Sequence, residues 1–178
     1  MRNFFTALLL SQGIPMILMG DEYGHTRFGN NNAWSHDNES NWFLWEELEK
    51  NAALLRFVSL MIQFRKNHKI LMRDKFLKKA NIDWHGLMPF KPNWGVEEKF
   101  VAFSLKEEHE AELYVAFNAF PHDVELFLPP HPKEKLWHRI VDSSLPSPKD
   151  FIEKPAAEEL LQSSYRLNGY SCFLAKPF

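Results

Sequence analysis

One cysteine in 178 residues, Cys172, excludes an internal disulfide and any multi-cysteine metal site. It stands in "YSCFLA", where it reads as a small apolar strand residue rather than a nucleophile. Long apolar runs are missing as well. No stretch reaches the roughly 20 residues that a membrane helix needs, and "FFTALLL" breaks at Ser11-Gln12-Gly13 with only Arg2 as a cation before it. That run has no small-residue cleavage site and makes a poor secretory signal. Charge of one sign is also scarce. A net charge of −2 and a pI near 6.4 leave no electrostatic footprint for nucleic acid or an anionic membrane surface. Basic runs such as "LKK" at 77–79 are short and read as solvated surface. There is no internal repeat and no low-complexity segment. A lone cysteine fits a reducing compartment, and a cytoplasmic location is expected, with a plastid-type compartment as the alternative. What the chain does have is aromatic side chains: 16 Phe and 6 Trp. Aromatics build cores and also stack on sugar rings, and composition alone does not separate the two.

The chain changes character near residue 70. Before it, residues 2–12 read as a helix with apolar side chains all round, hence buried on most sides. Gly13 supplies a left-handed stop. "PMILM" at 15–19 lacks polar alternation, the pattern of a strand covered on both faces. A polar loop rich in Gly, Asn and Asp covers 20–46. Residues 49–67 then place Leu54, Leu55, Val58, Met61, Ile62 and Arg65 at helical spacing. Helix, buried strand, long loop and helix make one piece of an α/β architecture.

From about 80 onward short strand patterns alternate with turn signals. "NIDWHG", "KFVAFSL", "ELYVAFN", "DVELFLP", "LWHRIVD", "SYRLNG" and "YSCFLA" are the candidates, with "KEEHEAE" and "NAFPHD" as hairpin connections. The Pro-rich stretch 129–159 reads as a long exposed excursion. The expected fold class is therefore α/β plus all-β. A buried parallel strand needs neighbours on both edges, yet residues 1–68 offer one such strand. A β/α barrel takes about 250 residues. Residues 1–70 are accordingly expected to be the closing helix-strand-helix section of a (β/α)8 barrel, and 71–178 a C-terminal antiparallel β-sandwich. The chain reads as the C-terminal part of a longer protein.

Functional loops of such barrels leave the C-terminal strand ends. The loop after "PMILM" carries Asp21, Glu22, His25, Asn30, Asn31, Asn32, Trp34, His36, Asp37, Asn38, Asn41 and Trp42. Amides and carboxylates pair with vicinal hydroxyls, and indole faces pack on a pyranose. Taken together the set suits a polyhydroxylated ligand, although single Asx residues also hold loops by bonding their own backbone. Asp21 and Glu22 are neighbours at a strand end and point to opposite faces. Glycosidic cleavage needs carboxyl groups about 5 to 9.5 Å apart across one bond. The pair is therefore expected at the rim and in the scaffold, with Gly20. His25, His36 and Asp37 lack a third ligand at helical or hairpin spacing, so no metal is expected.

"LLLSQGIPMILMGDEYG" followed by "GNNNAWSHDNESNW" closely resembles the α-amylase superfamily, glycoside hydrolase family 13, and within it the isoamylase and glycogen-debranching branch. The likeness continues through "RFVSLMIQFRKNH", "WHGLMPFKPNW", "FVAFSL" and "LYVAFNAF" and fades after about 130. It implies that Gly13, Pro15, Gly20 and Glu22 belong to the eighth barrel strand motif. Asp37 matches a loop aspartate that helps bind glucose units on the non-reducing side of the cut. Asn41 stands where many amylases carry arginine, a departure from the pattern. Asn31, Asn32, Trp34 and Asn38 are expected substrate contacts on the loop's residue types, not on the resemblance. The family's nucleophilic aspartate, acid/base glutamate and stabilising aspartate come from preceding strands, so no catalytic residue is expected here.

The resemblance implies part of an enzyme that hydrolyses α-1,6 branch linkages of glycogen or limit dextrin with retention, without metal or organic cofactor. The isolated chain is expected to be inactive and to self-associate through its uncovered strand and helix. The alternative is a non-catalytic glucan-binding or interaction protein derived from that family.

Overall fold

A computed structural model of the chain describes residues 1–107, 110–131, 133, 135–152, 158–160 and 164–178. It divides into two compact units, Met1–Leu71 and Met72–Phe178.

In the first unit, helix α1 spans Arg2–Leu10, two residues short of the expected end. It is not buried all round. Phe5, Leu9 and Leu10 are buried, whereas Phe4 is 80% exposed. The apolar run predicts covering on several sides, and this unit supplies covering on one. Past the helix, Gly13 adopts φ +92° with open space where a Cβ would stand. The second helical segment is broken into α2 (Glu47–Lys50) and α3 (Ala52–Asn67), with Asn51 at φ −111° between them. The buried face of α3 comprises Phe57, Val58, Met61, Phe64 and Arg65, while Ile62 is exposed. These positions follow i, i+1, i+4, i+7 and i+8, one stripe of a 3.6-residue period.

Arg65 closes this unit. Its Nη1 donates to the carbonyls of Leu9 at 2.6 Å and Ser11 at 2.7 Å, and its Nη2 to that of Gly13 at 2.6 Å. The last carbonyls of a helix have no partner within it, and one guanidinium fork satisfies three acceptors at and beyond the end of α1. Burial lowers the pKa of Arg65, yet a guanidinium stays charged in proteins.

The expected strand at 15–19 does not form. Residues 14–18 join no ladder, and Ile14 is 98% exposed, with Met16, Leu18 and Met19 exposed too. A strand needs a neighbour for its backbone groups, and among the described residues of this unit there is no strand to offer one. The fold is thus antiparallel β with a few helices rather than α/β plus all-β.

Among the described residues the second unit contains eight strands: β1 (Ile82–His85), β2 (Phe100–Glu107), β3 (Glu110–Asn118), β4 (Val124–Phe127), β5 (Trp137–Asp142), β6 (Glu158–Glu159), β7 (Ser164–Leu167) and β8 (Ser171–Pro177). Six form one sheet in the order β1-β2-β3-β8-β5-β6, and β4 pairs with β7 in a second. Among the described residues every strand pairs antiparallel with its neighbours. The two sheets enclose one apolar cluster: Tyr114, Ala116, Trp137, Phe173 and Ala175 from the large sheet with Val124, Leu126 and Leu167 from the small one. Two sheets sharing a core are a sandwich.

The "KEEHEAE" connection joins β2 to β3 as expected, with Glu107 opposite Glu110, but its centre, 108–109, lies outside the described residues. "NAFPHD" is not a hairpin. It carries the chain from β3 in the large sheet to β4 in the small one. Asn118 holds this corner, its amide donating to the carbonyls of His122 and Asn168 at 3.0 and 2.9 Å while Oδ1 accepts the Phe120 N–H at 3.0 Å. Nor is 129–159 simply exposed: β5 runs through it, and His131, Asp150 and Phe151 are buried. Phe151 bridges to Val141, which returns the chain to the sheet. Residues 132, 134 and 153–157 of that stretch lie outside the described residues. Cys172 is buried in β8.

Candidate functional site

The polar loop begins on a turn that only glycine fits. Gly20 has φ +99°, and a Cβ there would stand 2.8 Å from the Cβ of His25. The Gly20 N–H donates to Glu22 Oε2 at 2.8 Å. One of the two adjacent carboxylates is therefore committed to the turn that carries it. Asp21 opens the short helical turn Asp21–Tyr23, and its carbonyl accepts the Gly24 N–H at 3.0 Å.

Tyr23 and His25 anchor the rest of the loop. Tyr23 is buried, and its hydroxyl accepts the Leu44 N–H at 3.0 Å and lies 3.1 Å from His25 Nδ1. His25 Nε2 is 3.2 Å from the carbonyl of Ser40. A carbonyl only accepts, so Nε2 carries the proton and Nδ1 accepts from the Tyr23 hydroxyl. The two side chains thereby fasten both the middle and the end of the loop to its start. Sequence reading weighed His25 only as a metal ligand and passed over Tyr23. The signal was present in the two glycines, Gly20 and Gly24, that flank Tyr23.

The amide side chains divide their atoms between loop and solvent. Asn30 Oδ1 accepts from Asn32 N at 3.0 Å, Asn32 Oδ1 from Trp34 N at 3.3 Å and Asn38 Oδ1 from Ser40 N at 3.0 Å. Each is an Asx turn. Asn41 uses its amide nitrogen on the carbonyls of Ala33 at 2.6 Å and His36 at 2.7 Å. Asp37 Oδ1 accepts the Trp42 indole N–H at 2.7 Å, and its Oδ2 has no partner among the described residues. Trp34 is 85% exposed. Asn31 is exposed and makes none of these turns. The loop thus presents a held carboxylate, a bare indole face and several amide hydrogens.

Beside it lies a cleft of about 520 Å³ whose lining includes Tyr23, His25, Phe28, Asn38, Glu39 and Glu47. A second, shallower cleft of about 370 Å³ runs between Ile17, Leu18 and Met19 on one side and Leu55, Val58 and Ile62 on the other. Among the described residues no three His, Cys, Asp or Glu side chains converge as a metal site. His36 Nδ1 instead lies 3.4 Å from Asn30 Nδ2. No helix among the described residues is long and apolar enough to cross a membrane.

The sequence likeness is extensive. Residues 83–176 match the family described as "Isoamylase 1-3, C-terminal". The chain is 44% identical over 179 residues to "Isoamylase 3, chloroplastic" of Oryza sativa subsp. japonica, covering 99% of this chain and 22% of that protein. It is 33% identical over 171 residues to a "Glycogen operon protein GlgX homolog" of Mycobacterium tuberculosis, covering 82% of this chain and 24% of that one. It therefore spans about a fifth of the length of the curated relatives it matches. Among solved structures it superimposes on a pullulanase from Bacillus acidopullulyticus with TM-score 0.74, over 98% of this chain and 20% of that one. The identity there is 21%, so that likeness speaks for fold alone. The resemblance carried by "GIPMILMGDEYG" and "GNNNAWSHDNESNW" is borne out: the chain belongs to the isoamylase 1-3 C-terminal family.

Proposed function

We propose that this chain is the C-terminal portion of an isoamylase-type debranching enzyme, which hydrolyses α-1,6 branch linkages of glycogen or limit dextrin with retention. The observation that carries the reading is the loop 20–46, where Trp42 holds one oxygen of Asp37 and leaves the other open, and where Trp34 is exposed. In this reading Asp37, Asn31, Asn32 and Asn38 contact glucose units, with Trp34 as a stacking face. Asn41 is demoted to a brace, because its amide is spent on the backbone of Ala33 and His36. Gly20, Asp21 and Glu22 form the rim. The nucleophile and the acid/base belong to other strands, so the chain by itself does not cleave.

The first unit supplies the last helix, strand and helix of a (β/α)8 barrel. Residues 14–18 take their place as a strand when the neighbouring strands are there to pair with them. The exposed apolar row Ile14, Met16 and Leu18 and the cleft against Leu55, Val58 and Ile62 support this. Left unpaired, the same surface drives self-association. The compartment is cytoplasmic or plastid-like, in keeping with the name of the rice relative.

Co-expression with the polypeptide that contains the preceding barrel strands tests the reading. Debranching appears only in the complex, and Asp37→Ala raises KM for limit dextrin there with kcat much less affected. Debranching in the complex that is indifferent to Asp37→Ala would contradict the loop's role.

A further inference from the structure

The second unit holds exposed tryptophans that a solitary sandwich does not require. Trp84 lies on edge strand β1, opposite Phe103 of β2 in the ladder. It is 41% exposed, and Trp94, on the loop that follows, is 66% exposed. Their ring centroids are 5.4 Å apart at 74°, and Phe103 lies 5.5 Å from Trp84 on the other side. One indole is thus set as a floor and the other as a wall, with a third ring behind.

The backbone around this corner is built to hold it. Asn93 Nδ2 donates to Glu98 Oε2 at 2.6 Å, and Asn93 Oδ1 accepts the Gly95 N–H at 3.0 Å. Glu98 Oε1 accepts the N–H groups of Lys99 at 3.1 Å and Phe100 at 2.9 Å. Trp94 therefore projects from a turn braced at both ends. On the other flank His85, buried beneath Trp84's strand, accepts the Phe90 N–H at 2.9 Å and pins the intervening loop. A rigid exposed aromatic loses little conformational freedom on binding.

The chemistry of the occupant follows from charge. Residues 82–106 carry three acids and three bases, so the segment is neutral. Asp83 and Lys106, at the strand, neutralise each other at 2.7 Å. A surface segment of zero net charge with exposed indole rings suits a neutral ligand that has apolar faces and hydroxyl rims, as a glucan chain has. We propose that Trp84 and Trp94, backed by Phe103, form a second α-glucan-binding platform, carried by the second unit. The choice of an α-linked glucan rests on the debranching reading; the platform itself rests on the rings.

Native affinity electrophoresis of the chain through gels with and without amylopectin tests it, with maltoheptaose as soluble competitor. The native chain is retarded by amylopectin and released by maltoheptaose. Trp94→Ala and Trp84→Ala weaken retardation about tenfold, in the range of an aromatic stacking contact. Trp94→Phe retains most of it, and Trp34→Ala leaves a residual retardation that depends on Trp84. Retardation indifferent to Trp84→Ala and Trp94→Ala overturns the platform while leaving the loop reading intact. Absence of any retardation of the native chain also overturns it, whereas debranching by the reconstituted complex reports on the loop reading independently.

Discussion

Trp42 Nε1 donates to Asp37 Oδ1 at 2.7 Å, five residues back along an exposed loop. The bond orients a surface carboxylate that would otherwise sample several rotamers, and it does so without consuming the second oxygen. Removing the donor while keeping an aromatic ring, Trp42→Phe, leaves the fold intact and frees Asp37. In the reconstituted enzyme KM for limit dextrin rises several-fold, equivalent to about 1 kcal/mol for a hydrogen bond to a charged group at an exposed site. Circular dichroism and steady-state kinetics on the same samples check both halves.

Arg65 ties α3 to the end of α1 through the carbonyls of Leu9, Ser11 and Gly13. Arg65→Met keeps the aliphatic stem and strands these acceptors, costing about 3 kcal/mol in urea unfolding of the chain. Arg65→Lys recovers only part of the loss, because an ammonium lacks the planar fork that reaches three carbonyls at once. Full recovery with Lys would mean that charge alone, not geometry, matters here.

Gly20 combines φ +99° with a His25 Cβ that a new methyl would approach to 2.8 Å. Gly20→Ala is therefore expected to disturb the Tyr23–His25 anchor as well as the turn, costing about 2 kcal/mol and loosening the loop as far as Leu44. Amide hydrogen exchange checks this through faster exchange at Leu44, whose N–H bonds to the Tyr23 hydroxyl.

His85 gives the second unit a pH dependence. Burial pushes its pKa down from 6.5 to about 4; the Asp83 carboxylate opposes the shift and the Lys106 ammonium adds to it. Its Nδ1 accepts the Phe90 N–H and its Nε2 lies 2.8 Å from Ser104 Oγ, an arrangement for the neutral ring. Between these two values the unfolded chain binds more protons than the folded one. The stability from this group is complete above about pH 6.5, declines as pH falls toward 4, and is flat below. The total is about 3 kcal/mol. Urea midpoints between pH 7 and 4.5 show the decline in the native chain and a smaller slope in His85→Gln.

The sheet unit was largely readable in the sequence because its strands announce themselves by alternation and turn residues. All seven expected strands are present, and the pattern at β4, Val124 and Leu126 in with Glu125 out, is a clean example. What the sequence did not show was which strand lies beside which. That β3 pairs with β8, and that Asn118 turns the chain into another sheet, depends on partners about 50 residues away. The two-residue strand β6 is too short to carry a period.

Residues 14–19 failed for a different reason. Apolar periodicity reports that a segment wants covering, not that the covering is in the same chain. In the loop, the residue types pointed to hydroxyl chemistry, but only geometry shows that Asn41 braces the backbone while Asp37 faces out. Arg65 illustrates the same limit. Its helical spacing placed it on the packed face, and only the fold reveals three carbonyls waiting there.

The proposed glucan-contact loop comes in this chain without the acid and base of cleavage. Incubation of the purified chain with glycogen limit dextrin, followed by quantification of new reducing ends, tests it most directly. No activity above the blank is expected, with activity restored by the polypeptide containing the preceding barrel strands. Turnover by the chain alone, abolished in Glu22→Gln, would contradict it and place the chemistry on the carboxylates of this loop.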